Sequence, residues 1–135
     1  MPHVVVEYSA NIEQLDRPKL LKRINQVLIE SELFQSNDIK ARLYCNEDFL
    51  IGEGDSSQAY IYVEFSLFNG RTDEQKQRVR EALMHVLTQQ DYYKTDNDLQ
   101  IQLCVQLLEM DKENYLKTDS KLLKIYELNW QYEDI

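Results

Sequence analysis

The chain is short of the residues that interrupt or staple a fold. Three glycines and two prolines in 135 residues leave too few breakers for a low-complexity segment or a flexible linker. The two cysteines, Cys45 and Cys104, cannot form a disulfide framework and show no metal-ligand spacing. Both fall in strand-like runs and read as reduced core thiols of a cytoplasmic protein. Positive charge is scarce as well. Fifteen basic residues stand against twenty-four acidic ones, a formal net charge of −9. That balance argues against DNA or RNA as a partner, although a small anionic substrate answers to local charge and stays in play. No apolar run reaches membrane-spanning length and the N-terminus lacks a signal-peptide pattern, so no membrane partner is expected. A length of 135 residues suits one domain with a real core.

What the chain does have is an internal repeat. VVVEYS at 4–9 returns as IYVEFS at 61–66, and DIKARLYC at 38–45 returns as DLQIQLCV at 98–105. One amphipathic stretch lies between the members of each pair. The order strand–helix–strand, given twice, indicates a duplicated βαβ unit, about 2–46 and 58–108. The first helix is expected from about Pro18 to Ser31, with Asp16 as cap and Leu20, Leu21, Ile24, Val27 and Leu28 on one face. The second begins after Arg71. Thr72 and Gln75 have capping-box spacing, Asp73 and Glu74 suit the positive helix end, and Val79, Leu83, Val86 and Leu87 form the apolar stripe.

Strand parity sorts the remaining residues, because residues two apart share a face. Ile61, Val63, Phe65 and Leu67 make one apolar face; Leu99 to Leu107 at alternate positions make another. Ala41, Leu43 and Cys45, and by the repeat Val4, Val6 and Tyr8, join them under the helices. The opposite face mixes Glu7, Lys40, Arg42, Tyr44, Tyr62 and Glu64. Two helices cover only one face of a four-stranded sheet, so this face meets either water or other subunits; tyrosines suit subunits. The fold class is therefore α+β: a four-stranded sheet with two helices on one face, in a domain ending near residue 109. The extension, 110–135, alternates Tyr126, Leu128, Trp130 and Tyr132 with polar residues and is expected to hold an extra strand.

Pro2 is the most informative single residue. Removal of Met1 would leave a secondary amine at the start of the apolar strand PHVVVEYS. An α-amino group titrates at about 7.7–8.0, and burial and nearby cations lower that value toward a base useful near neutral pH. With Met1 retained, the Pro2 nitrogen is an amide without useful basicity.

Taken together, the proline start, the IKAR segment and NGRTDEQKQRVREAL at 69–83 resemble the tautomerase superfamily. The second-half segment is similar to 4-oxalocrotonate tautomerase, and the opening PHVVVEYSANI with the double-length chain is similar to the 5-carboxymethyl-2-hydroxymuconate isomerase family. No proline opens the second unit, where Ala59 and Tyr60 stand, so one site per chain is expected. The resemblance implies an enol–keto isomerisation of an unsaturated 2-hydroxy carboxylate, with Pro2 as base, no metal or organic cofactor, and a homotrimer. It assigns Arg71 to a substrate carboxylate. Lys40 stands where many relatives carry an arginine that polarises substrate, and lysine keeps that charge without the fork. Arg42 lies on the same face and is the other candidate; ion pairing of either with Glu7 or Glu64 is the structural alternative. His3 turns to the opposite side from Pro2, and His85 is expected at the surface. Two other functions stay open at this point: another reaction on the same fold, or a non-enzymatic oligomeric binding protein.

Overall fold

The computed structural model describes residues 1–95 and 98–122. Strand β1 (His3–Ser9) leads through a two-residue strand β2 (Gln14–Leu15) into helix α1 (Arg17–Glu30) and strand β3 (Lys40–Asn46). Strand β4 (Gln58–Phe68), helix α2 (Asp73–Thr88), a second two-residue strand β5 (Tyr93–Lys94) and strand β6 (Gln100–Met110) repeat the pattern. The main sheet has the order β3-β1-β4-β6. β1 runs parallel to β3 and β4 parallel to β6, while the central pair β1–β4 is antiparallel. Each parallel pair is joined by its helix, the connection parallel strands require. Two βαβ units thus meet back to back at β1 and β4.

Local chemistry sets the helix starts. The Asp16 side chain caps α1 by accepting from the Lys19 amide at 3.1 Å, and Pro18 sits in the first turn, where its missing N–H costs no hydrogen bond. Thr72 caps α2 with a reciprocal pair: its hydroxyl accepts from the Gln75 amide at 3.1 Å, and the Gln75 side chain accepts from the Thr72 amide at 2.9 Å. Asp73 and Glu74 follow in the first turn, favoured by the helix dipole. α1 buries Leu20, Ile24 and Leu28; α2 buries Val79, Leu83, Val86 and Leu87.

Register aligns the apolar faces as parity requires. Val4 lies between Ala41 and Phe65, Val6 between Leu43 and Val63, and Tyr8 between Cys45 and Ile61. On the far side of β4, Ile61, Val63 and Phe65 meet Leu103, Val105 and Leu107. The central strands are buried on this face, and the edge strands β3 and β6 are half-buried. Each fully buried Leu, Ile, Val or Phe stabilises by about 1.5–3 kcal/mol relative to exposure, so the core is concentrated on β1 and β4. Both helices cover this face; the other is left open within one chain.

The small antiparallel ribbon of β2 and β5 is not foreshadowed by the repeat. Next to it, Tyr92 is wholly buried and donates its hydroxyl to the Leu87 carbonyl at 2.8 Å, while the Asp16 amide bonds the Tyr92 carbonyl at 2.6 Å. Tyr92 thereby ties the end of α2 to the start of α1. The expected strand over Tyr126–Tyr132 lies outside the described residues.

Candidate active site

One end of the sheet gathers the candidate residues. Pro2 is buried immediately before β1, with its carbonyl accepting from the Lys40 amide at 3.1 Å. The start of β3 is therefore fastened to the start of β1, and register sets Lys40 beside His3 and Arg42 beside Val5. His3 is half-buried on the open face, opposite in parity to buried Pro2, as alternation requires.

The charges around this end are mostly positive. Burial pushes the amine of Met1 below its ordinary value of 8.0; the Lys40 and Lys117 ammonium groups push it the same way, and Asp38 opposes them. His3 is also held below its usual 6.5, first by burial, then by Arg42, the N-terminal amine, Lys40 and Lys117. Lys40 donates its ammonium to the Asp38 carbonyl at 2.8 Å, and Lys117 pairs with the Asp38 carboxylate at 2.7 Å. That ion pair lowers the Asp38 carboxyl and raises Lys117. Arg42 donates from Nη1 to Nδ1 of His3 at 3.2 Å. Among the described residues, neither Lys40 nor Arg42 forms an ion pair with Glu7 or Glu64. Three side-chain cations and the N-terminus are offset here by Asp38, an arrangement suited to an anion.

Arg71 occupies the same end of β4 but is engaged toward the helices. Gly70, at φ +105°, turns the chain from β4 toward α2 through a conformation that a side chain would strain. The Arg71 guanidinium then donates from Nη2 to the Leu33 carbonyl at 2.8 Å and lies 5.2 Å from the Phe34 ring centroid. Phe34 in turn packs edge-on against Phe65 of the core, at 5.6 Å between ring centroids. The structure thus joins Pro2 and Lys40 through the backbone, sets Arg42 against His3 one residue on, and holds Arg71 through a separate set of contacts. Among the described residues its other N–H donors have no hydrogen-bond partner, which leaves a fork for another acceptor.

A contributor that the sequence reading missed comes after β6. The segment from Asp111 folds back so that Tyr115 packs edge-on against Phe68, at 5.3 Å between centroids, and receives the Nε2 side of His3 at its hydroxyl, 2.9 Å away. Lys112 lies over the other partner of this pair, 5.8 Å from the Phe68 ring centroid. No periodic pattern marks such a segment, and an aromatic residue with flanking lysines was the only available signal. His85, by contrast, is exposed on α2 and bonded to Gln89, as expected.

Clefts elsewhere are less suited to an anion. One of ≈ 580 Å³ runs beside the β2–β5 ribbon, lined by Leu15, Lys19, Asp91, Tyr93 and Lys94 among others. Its Lys19 is paired with Asp91, which also takes Arg23. Two shallower clefts lie on the helices, and none of the three is lined by Pro2, Lys40, Arg42 or Arg71. Among the described residues no group of three or more His, Cys, Asp or Glu is arranged to hold a metal, and no helix is long and apolar enough to cross a membrane.

Comparison with known proteins identifies the family. The sequence model of the 5-carboxymethyl-2-hydroxymuconate isomerase family matches residues 2–121. The 5-carboxymethyl-2-hydroxymuconate Δ-isomerase of Escherichia coli is 28% identical over 88 residues, which are 64% of this chain and 70% of that protein. Among solved structures, a 5-carboxymethyl-2-hydroxymuconate isomerase from Deinococcus radiodurans superposes with a TM-score of 0.76 at 23% identity, covering 92% of this chain and 93% of that one. A fused 4-OT wild-type symmetric trimer gives a TM-score of 0.66 at 21% identity, covering 87% and 92%. With a family match that spans nearly the whole chain and the same tautomerase-like architecture, this chain belongs to the 5-carboxymethyl-2-hydroxymuconate isomerase family.

Proposed function

We propose that this chain catalyses a cofactor-independent enol–keto isomerisation of an unsaturated 2-hydroxy carboxylate resembling 5-carboxymethyl-2-hydroxymuconate, with the Pro2 amine as base after removal of Met1. The observation that carries this reading is the environment of the N-terminus: a buried Pro2 at the strand start, with Lys40 and Lys117 close enough to depress the terminal amine. In the processed chain the Pro2 amine would stand one residue further in, near the same cations. They favour the neutral, proton-accepting form near pH 7, as general-base chemistry requires.

The chemistry balances without a co-reactant. The neutral amine takes a proton from the substrate and becomes an ammonium, while the electron pair spreads over the conjugated system as a dienolate. The ammonium then returns that proton to a carbon further along the system, which leaves the keto form and regenerates the amine. Negative charge developing on the dienolate oxygen needs a positive partner. Lys40 and Arg42 are the two candidates: Lys40 is fastened to Pro2 through the backbone and its ammonium donates to the Asp38 carbonyl, while Arg42 donates to His3. Arg71 serves a substrate carboxylate through its unused fork. The open sheet face, with Tyr44 51% exposed and Tyr62 beside Glu7, serves as the interface of a homotrimer.

The test joins intact mass to kinetics. Purified protein lacking Met1 is expected to ketonise a 2-hydroxymuconate, and Pro2→Ala to lower kcat by about 10²–10⁴-fold with an unchanged circular dichroism spectrum. Full activity in that variant would remove the base assignment. An inert processed protein, tried on a panel of enols, would point to a different reaction on this fold.

A further inference from the structure

We propose that Tyr115, carried by the segment that follows β6, is a hydrogen-bond donor to the bound anion, oriented by a relay from Arg42 through His3. The inference rests on the reading above for the location of the site and adds a residue to it.

The hydrogen-bond directions follow from the groups themselves. A guanidinium has donors and no acceptor, so the 3.2 Å contact from Arg42 Nη1 to His3 Nδ1 requires an unprotonated Nδ1. Burial and the surrounding cations keep the imidazole neutral, which leaves its one proton on Nε2. Nε2–H must then donate across the 2.9 Å contact to the Tyr115 oxygen. The phenol has only one proton, and that proton is now free to be donated away from His3. Polarisation by the Arg42 charge strengthens it as a donor.

Position agrees with this direction. Antiparallel register pairs His3 with Ser66, and continuing it by two residues sets Phe68 across from Met1. Tyr115 packs on Phe68 and on His3 together, with ring centroids 5.3 Å and 6.0 Å away. Its ring therefore lies on the open-face side of the strand end that carries Pro2. Lys117, two residues on, is anchored to Asp38 at 2.7 Å, so the segment is fixed at two points to the first βαβ unit. A donor held in this way reaches an anion without reorganising, the condition under which such donors contribute most.

The experiment uses the processed full chain. Tyr115→Phe keeps the ring packing and removes only the hydroxyl. It is expected to lower kcat on a 2-hydroxymuconate by about 10- to 100-fold and to raise KM several-fold, because the hydroxyl meets the anion in the ground state as well. His3→Gln offers an oxygen to Arg42 and an N–H to Tyr115, and is expected to keep kcat within a few-fold of the parent; His3→Phe breaks the relay and is expected to fall as far as Tyr115→Phe. The double variant His3→Phe with Tyr115→Phe is expected to lose no more than either alone. Parent-like kcat in Tyr115→Phe, in a protein that Pro2→Ala disables, would overturn the proposal and leave the base assignment standing. If the parent turns over no enol, muconate, which lacks the 2-hydroxyl and cannot ketonise, serves as the probe. Its titration is followed at the His3 imidazole nitrogens by NMR. Weaker binding by Tyr115→Phe, with His3 in the Nε2–H tautomer, supports the donor role; equal binding overturns it.

Discussion

Replacing Arg71 by alanine separates two roles that the structure has superimposed on one guanidinium. Its contacts are the Leu33 carbonyl at 2.8 Å and the Phe34 ring at 5.2 Å, so the substitution has a structural cost whatever the substrate does. A hydrogen bond from a charged donor contributes about 1.5–3 kcal/mol at most. Leu33 and Arg71 are only half-buried, and water can replace the donor, which brings that contribution to about 1 kcal/mol. The cation–π contact adds about 0.5–1 kcal/mol. A loss of about 1.5–2 kcal/mol is expected, equivalent to roughly 5–10 °C in Tm for a chain of this size.

The binding role gives a different signature. If the free fork of Arg71 holds a substrate carboxylate, removing it costs about 1.5–3 kcal/mol of binding, or about 10- to 150-fold in KM, with kcat much less affected. Arg71→Lys keeps the charge and loses both the ring stacking and the fork, so its KM should fall between those of the parent and the alanine variant. Urea denaturation measures the first effect and initial rates below the denaturation threshold measure the second. A stability loss of the expected size with KM unchanged would reduce Arg71 to a brace between Leu33 and Phe34, and the carboxylate assignment would be lost.

The pH dependence of kcat/KM is expected to rise on the acid side as the Pro2 amine loses its proton. Lys40 lowers the terminal amine, so Lys40→Met raises the amine pKa and moves the acid limb to higher pH; an unmoved limb in an active variant would show that Lys40 does not act on the base. Sedimentation equilibrium at micromolar concentration is expected to give about three times the chain mass of 16.1 kDa; a species of single-chain mass would return the open face to solvent.

The parts of the fold legible in the sequence are those written as periodic patterns. The paired motifs at 4–9 and 61–66 mark the two central strands, and their parity correctly separates Val4, Val6, Val63 and Phe65 from Glu7, Tyr62 and Glu64. The α2 start is legible because a capping box is a local device of four residues. The β2–β5 ribbon is not, since two residues per strand give no alternation to read, and its support is a tertiary one, buried Tyr92. The candidate site divides in the same way. Pro2 and Arg71 stand out through sequence context. The partnership of His3 with Tyr115 joins residues 112 apart and depends on where the chain turns after β6, which no local pattern specifies.

Charge is the argument for placing the proposed site at this end of the sheet. A chain with a formal net charge of −9 repels an anionic substrate from most of its surface, and some of its cations elsewhere are held by carboxylates: Lys76 by Asp73 and Glu109, Lys19 and Arg23 by Asp91. Around the N-terminus the balance reverses. Lys40 donates to a carbonyl rather than a carboxylate, Arg42 to an imidazole, and among the described residues only Lys117 of the three has an anionic partner. Cations left without carboxylates there do two things at once: they draw an anion toward the strand end, and they disfavour the protonated form of the amine that would act on it. Each task taken separately could be met by a distant field or by burial. Meeting both requires the positive charges within a few residues of Pro2, and the parallel pairing of β1 with β3 supplies that arrangement by setting Lys40 and Arg42 beside the start of the first strand.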